Sequence, residues 1–190
     1  MADEDAPALR TIGSREVYAN QWLRLREDDI EYTDGSTGVF AVVEKSDFAV
    51  VLPFVDDGFW LVEQYRYPVG RREWEFPQGG WPAGRTGTVK ELAKAELLEE
   101  TGLRASHFEH LGGLNSAPGY ASNYFDAFLA TGLTEGTPER EATEADMVHA
   151  WFSEDELHDM IRRGDFRDSN GVAALTLLHL YRELAADASG

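Results

Sequence analysis

Residues 48–67 read FAVVLPFVDDGFWLVEQYRY, two apolar runs either side of Asp57-Gly58. β-Branched and aromatic side chains pack well on a pleated surface, and Asp-Gly is a tight-turn dipeptide, so the segment is expected to fold as a β-hairpin. Pro53 cannot donate to a ladder and marks a local interruption or bulge in the first strand. Around this hairpin the punctuation is equally dense. Residues 15–30 alternate apolar and polar side chains (Trp22, Leu23, Leu25, Ile30), which predicts a strand, and Asp34-Gly35 turns the chain into GVFAVVE. EWEFP at 73–77 predicts a short strand running into a Gly/Pro loop, Gln78 to Gly87. A helix is expected from Val89 to Thr101, stopped by Gly102. Strands follow near 107–114 and over YFDAFLA, with Pro118-Gly119 in the loop between them. Beyond an acidic loop, Thr134 to Asp146, VHAWF predicts a further strand. Ser153 and Glu156 form a capping box that opens a helix over Glu154–Arg163, ended by Gly164. Asn170 is the expected cap of the last helix, where Ala174, Leu177, Leu178 and Tyr181 fall on one face. No internal repeat or linker interrupts this order. Strands, a helix, more strands and two helices make an α+β fold, its mixed or antiparallel sheet faced by helices.

The length, 190 residues, suits one domain with a short extra arm. The net charge of −18, with no run of Lys or Arg, disfavours nucleic acid and anionic membranes as partners. A phosphate-bearing substrate would need metal cations to approach such a chain. The sequence has no cysteine, which excludes disulfides, zinc–thiolate sites, Fe–S clusters and cysteine nucleophiles. Met1 to Pro7 is acidic without an apolar core, unlike a signal peptide, and no stretch is apolar enough to span a membrane. A cytoplasmic protein is expected, with residues 1–13 as a disordered acidic tail.

One segment concentrates chemistry: Glu96-Leu97-Leu98-Glu99-Glu100-Thr101-Gly102-Leu103. On a helix Glu96 and Glu100 sit one above the other, with Glu99 beside them. Like charges at that spacing destabilise a helix by roughly a few tenths of a kcal/mol per pair. The negative end of the helix dipole adds to that cost. A divalent cation removes both penalties, because clustered carboxylates are what hard Mg²⁺ or Ca²⁺ ligates. A solvated acidic helix face is the other reading of the same octet.

The segment from Gly79 to Leu103 resembles the signature of the Nudix hydrolase family: a glycine, an upstream glutamate, then Arg-Glu-apolar-any-Glu-Glu-any-Gly-apolar. Glu96, Leu97, Glu99, Glu100, Gly102 and Leu103 match its second half. The first half departs. Ala95 replaces the arginine, the gap from Gly79 to Glu96 is two residues longer than usual, and only Arg85, Thr86 or Gly87 occupy the place of the upstream glutamate. VYANQWLRLRED, GVFAVVE and VEQYRYPVGRREWEFPQGG are similar to the ADP-ribose pyrophosphatase branch. So are Pro118, fifteen residues past Leu103, and the ending WFSEDELHDMIRRGDFRDSNGVAALTLL. The resemblance implies a Nudix α/β/α sandwich with a mixed sheet over residues 46–186. It also implies N-terminal antiparallel strands over 14–45 that serve as a dimerisation and substrate arm in a homodimer.

The same resemblance implies the roles. Glu96 and Glu100 are metal ligands, Glu99 is a ligand or supports one, and the carbonyl of Gln78 completes the site. The cofactor is Mg²⁺, with Mn²⁺ as a substitute. A glutamate from the loop before the penultimate helix orients or deprotonates the attacking water; Glu144 fits best, Glu141 second and Glu139 less well. Arg66, Glu75, Gly79, Gly80 and Pro118 contact substrate. The implied reaction is hydrolysis of the pyrophosphate bond in a nucleoside diphosphate linked to another moiety. ADP-ribose, giving AMP and ribose 5-phosphate, comes first. Another nucleotide sugar or a dinucleotide is the alternative, as is a catalytically weak nucleotide-binding domain, because the box is degenerate. Trp22, Trp74 and Trp81 could stack on adenine, with core packing the better reading for at least two. His107 and His110 read as structural, Ser116 and Ser122 lack a nucleophile context, and no GK[ST] makes loop 79–87 a P-loop.

Overall fold

The computed structural model describes residues 8–82, 84–140 and 144–187. The chain divides into two compact units, one running through Ser46 and including Asn115–Tyr124, the other comprising Asp47–Leu114 and the chain from Phe125 onward.

The first unit is an antiparallel three-stranded sheet of β1 (Leu9–Ala19), β2 (Arg24–Tyr32) and β3 (Thr37–Glu44), in that order. Its strands are laced by cross-strand pairs such as Arg15–Glu27 and Arg24–Glu44. Ile12, Val17, Tyr18, Trp22, Val39 and Phe40 are exposed on it. β1 starts at Leu9, so in the stretch 9–13 that the sequence places in an acidic tail, Leu9, Arg10, Thr11 and Gly13 pair with β2, with a register shift at Ile12. The single strand expected over 15–30 is two. The Asn20 side chain accepts the N–H groups of Trp22 (2.8 Å) and Leu23 (3.0 Å) and folds the chain back there. This Asx turn is a local competitor of the ladder, invisible to apolar–polar alternation alone. The segment 115–124 joins through Val43, whose N–H donates to the Tyr120 carbonyl at 2.7 Å.

The second unit is built on β4 (Phe48–Val55), β5 (Gly58–Arg66), β6 (Arg71–Glu75), β7 (Gln78–Gly79), β8 (Arg104–Asn115), β9 (Tyr124–Thr134) and β10 (Val148–Ser153). The main strand order is β10-β5-β4-β9-β8, with β6 added to β5 and β7 to β4. β4 and β9 run parallel, while β4 pairs β5 and β7, and β5 pairs β6 and β10, antiparallel, so the sheet is mixed. The helices are α1 (Val89–Thr101), α2 (Glu154–Arg163) and α3 (Ser169–Asp187).

β4 explains the layering. Successive side chains of a strand point to opposite faces. Val50 and Leu52 join Leu157, Met160, Ala174 and Leu178 of α2 and α3. Ala49 and Val51 join Leu92, Ala93 and Leu97 of α1. An unbroken apolar strand therefore feeds two cores, and the unit is an α/β/α sandwich with α1 on one face and α2 and α3 on the other. Each fully buried leucine contributes about 1.5–3 kcal/mol.

Local chemistry differs from expectation at three points. The β4–β5 turn centres on Asp56 and Asp57, both at positive φ (50° and 55°), not on Gly58. Gly58 is needed for another reason: a Cβ there would stand 2.3 Å from the Phe152 carbonyl oxygen of the neighbouring strand. Pro53 sits in register with Ala130 of β9, inside the sheet. On the other side β4 pairs β7 at Ala49–Val50 and β5 at Phe54–Val55, so Pro53 falls in the gap and costs no rung. Asn170 does not cap α3. It lies inside the helix, and Asp168 accepts the N–H groups of Asn170 (3.1 Å) and Gly171 (3.0 Å) instead.

Candidate active site

The site is built on α1 and the β6–β7 connection, all within the second unit. α1 opens with a capping box. The Thr88 hydroxyl accepts the Glu91 N–H at 3.2 Å, and the Glu91 carboxylate accepts the Thr88 N–H at 2.8 Å. It closes at Gly102, in the left-handed region at φ 77°, whose N–H donates to the Leu98 carbonyl. Leu92, Ala93 and Leu97 anchor the helix in the core, and this places Glu96 and Glu100, one turn apart, at its buried edge. Glu99 is half-buried beside them.

What faces Glu96 is Gly79. A Cβ at Gly79 would lie 2.4 Å from one carboxylate oxygen of Glu96 and 2.8 Å from the other. Only a glycine lets the carboxylate approach the β7 backbone this closely. One residue earlier, the Gln78 N–H donates to Glu100 Oε2 at 3.1 Å. The two glutamates are thus seated against consecutive residues of the Pro77–Gly80 loop.

Behind them lies a hydrogen-bonded chain. Arg66 grips Glu75 with two parallel bonds, 2.7 and 2.5 Å. The Gln78 side-chain amide donates to Glu75 at 2.9 Å and to Asp168 at 3.0 Å. Asp168 is a site residue that the sequence reading misses. Its signal, an acid two residues before Asn170, is that of a helix cap, and nothing local ties it to Gln78.

The electrostatics are those of too many anions in too little water. Burial, then the charges of Glu96 and Glu144, push the Glu100 carboxyl well above its ordinary value. Burial, then Glu75, also raises Asp168. The Glu144 charge thus acts on Glu100 in the same direction as burial does. Among the described residues no three acidic or histidine side chains are grouped tightly enough to form a ready-made metal centre. The donor set nonetheless fits a hard divalent cation. It offers buried carboxylate oxygens that repel one another, a facing backbone, and no sulfur.

The remaining predicted residues stand as follows. Gly80 continues the loop beyond Gly79. Pro118 lies in the first unit, in a turn closed by the Tyr120 N–H on the Ala117 carbonyl. Glu141 lies outside the described residues. Glu139 is exposed, and its N–H donates to the Glu99 carbonyl at 3.0 Å. Trp74 packs edge-on against Phe152 and Trp81 against the α1 core, while Trp22 is exposed. His107 and His110 both lie on β8, and His110 meets Asp126 at 2.6 Å.

The NUDIX domain model matches residues 45–175, and the model of the nucleoside diphosphate sugar hydrolase N-terminal domain matches residues 10–43. The chain belongs to the Nudix family. Its relatives include an ADP-ribose pyrophosphatase of Mycobacterium tuberculosis (strain ATCC 25618 / H37Rv). That protein is 34% identical over 182 residues, which cover 94% of this chain and 86% of the relative. An ADP-ribose pyrophosphatase of Bacillus subtilis (strain 168) is 27% identical, covering 93% and 96%. A methanol dehydrogenase activator of Bacillus methanolicus is 27% identical, covering 92% and 95%. A solved structure described as an ADP compounds hydrolase superposes with a TM-score of 0.80 at 22% identity, over 93% of this chain and 95% of that one. The Nudix fold explains the division of labour seen above: the sandwich holds α1, and α1 with the Pro77–Gly80 loop holds the carboxylates.

Proposed function

We propose that this Nudix protein hydrolyses the pyrophosphate bond of ADP-ribose, yielding AMP and ribose 5-phosphate, with Mg²⁺ as its cofactor and Mn²⁺ as a substitute. The observation that carries the reading is the packing of Glu96 and Glu100 against Gly79 and Gln78. Two carboxylates that disfavour one another's charge are buried there, and a bound cation offsets that cost. The pyrophosphatase relatives support the substrate. Divalent cations, when bound, neutralise the diphosphate and activate water.

The chain's own residues do the rest. Glu96 and Glu100 hold the cation, with the Gln78 carbonyl and Glu99 completing its shell. Glu144 accepts the proton from the attacking water. Arg66 is held extended by Glu75 and offers its remaining N–H donors to the substrate. The longer loop favours a second reading of the specificity. In that loop Arg85 stacks on the Trp81 ring, 4.5 Å from its centroid; the reading takes another nucleotide sugar or a dinucleotide as substrate.

A homodimer belongs to the proposal. The apolar side chains exposed on the first unit (Ile12, Tyr18, Trp22, Val39, Phe40) support it. Sedimentation at micromolar concentration should give a dimer, and a monomer would remove that part. Among the described residues no helix is long and apolar enough to cross a membrane.

The test of the activity is product analysis on a panel of ADP-ribose, nucleotide sugars and dinucleotides, with and without Mg²⁺. Metal-dependent AMP from ADP-ribose above all others is expected. Faster turnover of another member moves the specificity. No turnover, with a nucleotide still raising the Tm, would make the domain a binder.

A further inference from the structure

Helix α1 ends on carbonyls that need partners, as every helix does. The segment after β9 supplies them. The Glu139 N–H donates to the Glu99 carbonyl at 3.0 Å, and Arg140 Nε donates to the Glu100 carbonyl at 2.9 Å. Packing there is tight: a Cβ on Gly102 would stand 2.7 Å from the Gly136 oxygen. Arg140 makes two more bonds. One terminal nitrogen donates to the carbonyl of Met147, which is buried, and the other meets His149 Nδ1 of β10 at 2.8 Å. Burial and the neighbouring guanidinium push His149 below its ordinary value, which keeps that ring neutral and able to accept. Arg140 is the sole basic residue between Thr134 and Met147. Its planar fork reaches three acceptors, in α1, at Met147 and in β10, that no single-point cation could reach together.

We infer that Arg140 is a positioning residue: by bonding Glu100, Met147 and His149 at once, it fastens the segment that carries Glu144 to the last turn of the helix that carries Glu96 and Glu100. The guanidinium thereby ties Arg140 and Met147, which bracket Glu144 in the sequence, to α1 and β10. This rests on the reading of Glu144 as the base. A base displaced by about 1 Å loses much of its effect on kcat while substrate binding is spared.

The experiment is a double-mutant cycle on ADP-ribose hydrolysis at saturating Mg²⁺, with kcat and KM measured for the wild type, Arg140→Gln, Glu144→Gln and the double variant. Arg140→Gln is expected to lower kcat roughly tenfold or more with KM nearly unchanged. In the Glu144→Gln background the same change should lower kcat no further, because its target is already gone. Wild-type kcat in Arg140→Gln, or an equal loss in both backgrounds, would overturn the inference. Wild-type kcat in Glu144→Gln would overturn the base assignment itself, a separate outcome. If Arg140→Gln does not fold, Arg140→Lys takes its place in the cycle. It keeps the charge at the helix end but cannot span the three acceptors, and the same results decide.

Discussion

Replacing Gly79 by alanine puts a methyl group where the Glu96 carboxylate now lies. The new carbon would sit 2.4 Å from Oε2, 2.7 Å from Cδ and 2.8 Å from Oε1. That is about 1 Å inside normal van der Waals contact, so the carboxylate has to move by about that much. Gly79 has no left-handed φ, so the backbone accepts alanine, and the displaced atoms are the end of a side chain rather than main chain. The fold should survive with a small change in Tm. The chemistry should not, because a misplacement of about 1 Å in a reacting constellation costs on the order of 10²-fold in rate. Turnover of ADP-ribose would be titrated with Mg²⁺ for both proteins, and their melting compared in the absence of metal. The expected result is a raised Mg²⁺ requirement and a kcat lower by about two orders of magnitude. Wild-type kcat and Mg²⁺ dependence in Gly79→Ala would refute the argument that Glu96 works from its seat against β7.

The pH dependence of metal stabilisation follows from Glu100. In the metal-free fold its carboxyl keeps its proton well above the ordinary carboxylate range, while the unfolded chain has released it. In that window the folded state binds more protons, so rising pH weakens folding, and a cation that displaces the proton stabilises more as pH rises. The Tm difference with and without Mg²⁺ should therefore grow from mildly acidic to neutral pH and flatten in Glu100→Gln; equal growth in both proteins would count against it. Thr88→Ala removes the hydroxyl half of the α1 capping box and should cost about 1 kcal/mol in denaturant unfolding. An unchanged midpoint would mean that the core alone holds the start of the helix.

The helices were the most legible part of the sequence because their end signals are local. Gly102 stops α1, and the Ser153–Glu156 box starts α2, at the residues that the pattern predicts. The glutamates of α1 were legible for the same reason: helical spacing alone places Glu96 over Glu100. The partners that give them meaning were not. Gln78 reaches Asp168 across ninety residues of sequence, and Arg140 reaches Glu100 across forty. No periodicity encodes such contacts, since they are set by how α1, α3 and β10 dock on one sheet. The Asn20 turn and the Asp168 cap escape the pattern for a different reason. Both are side-chain-to-backbone choices among neighbouring polar residues, where propensity distinguishes Asn from Asp only weakly.

The central claim is that a divalent cation on buried Glu96 and Glu100 drives pyrophosphate hydrolysis, and Glu100→Gln tests it most directly. The variant keeps the shape of the side chain and removes its charge, so the fold should be retained and the metal-free protein should melt no lower than the wild type. ADP-ribose turnover at saturating Mg²⁺ is predicted to fall by orders of magnitude. A folded Glu100→Gln protein that turns over ADP-ribose at the wild-type rate would contradict the account.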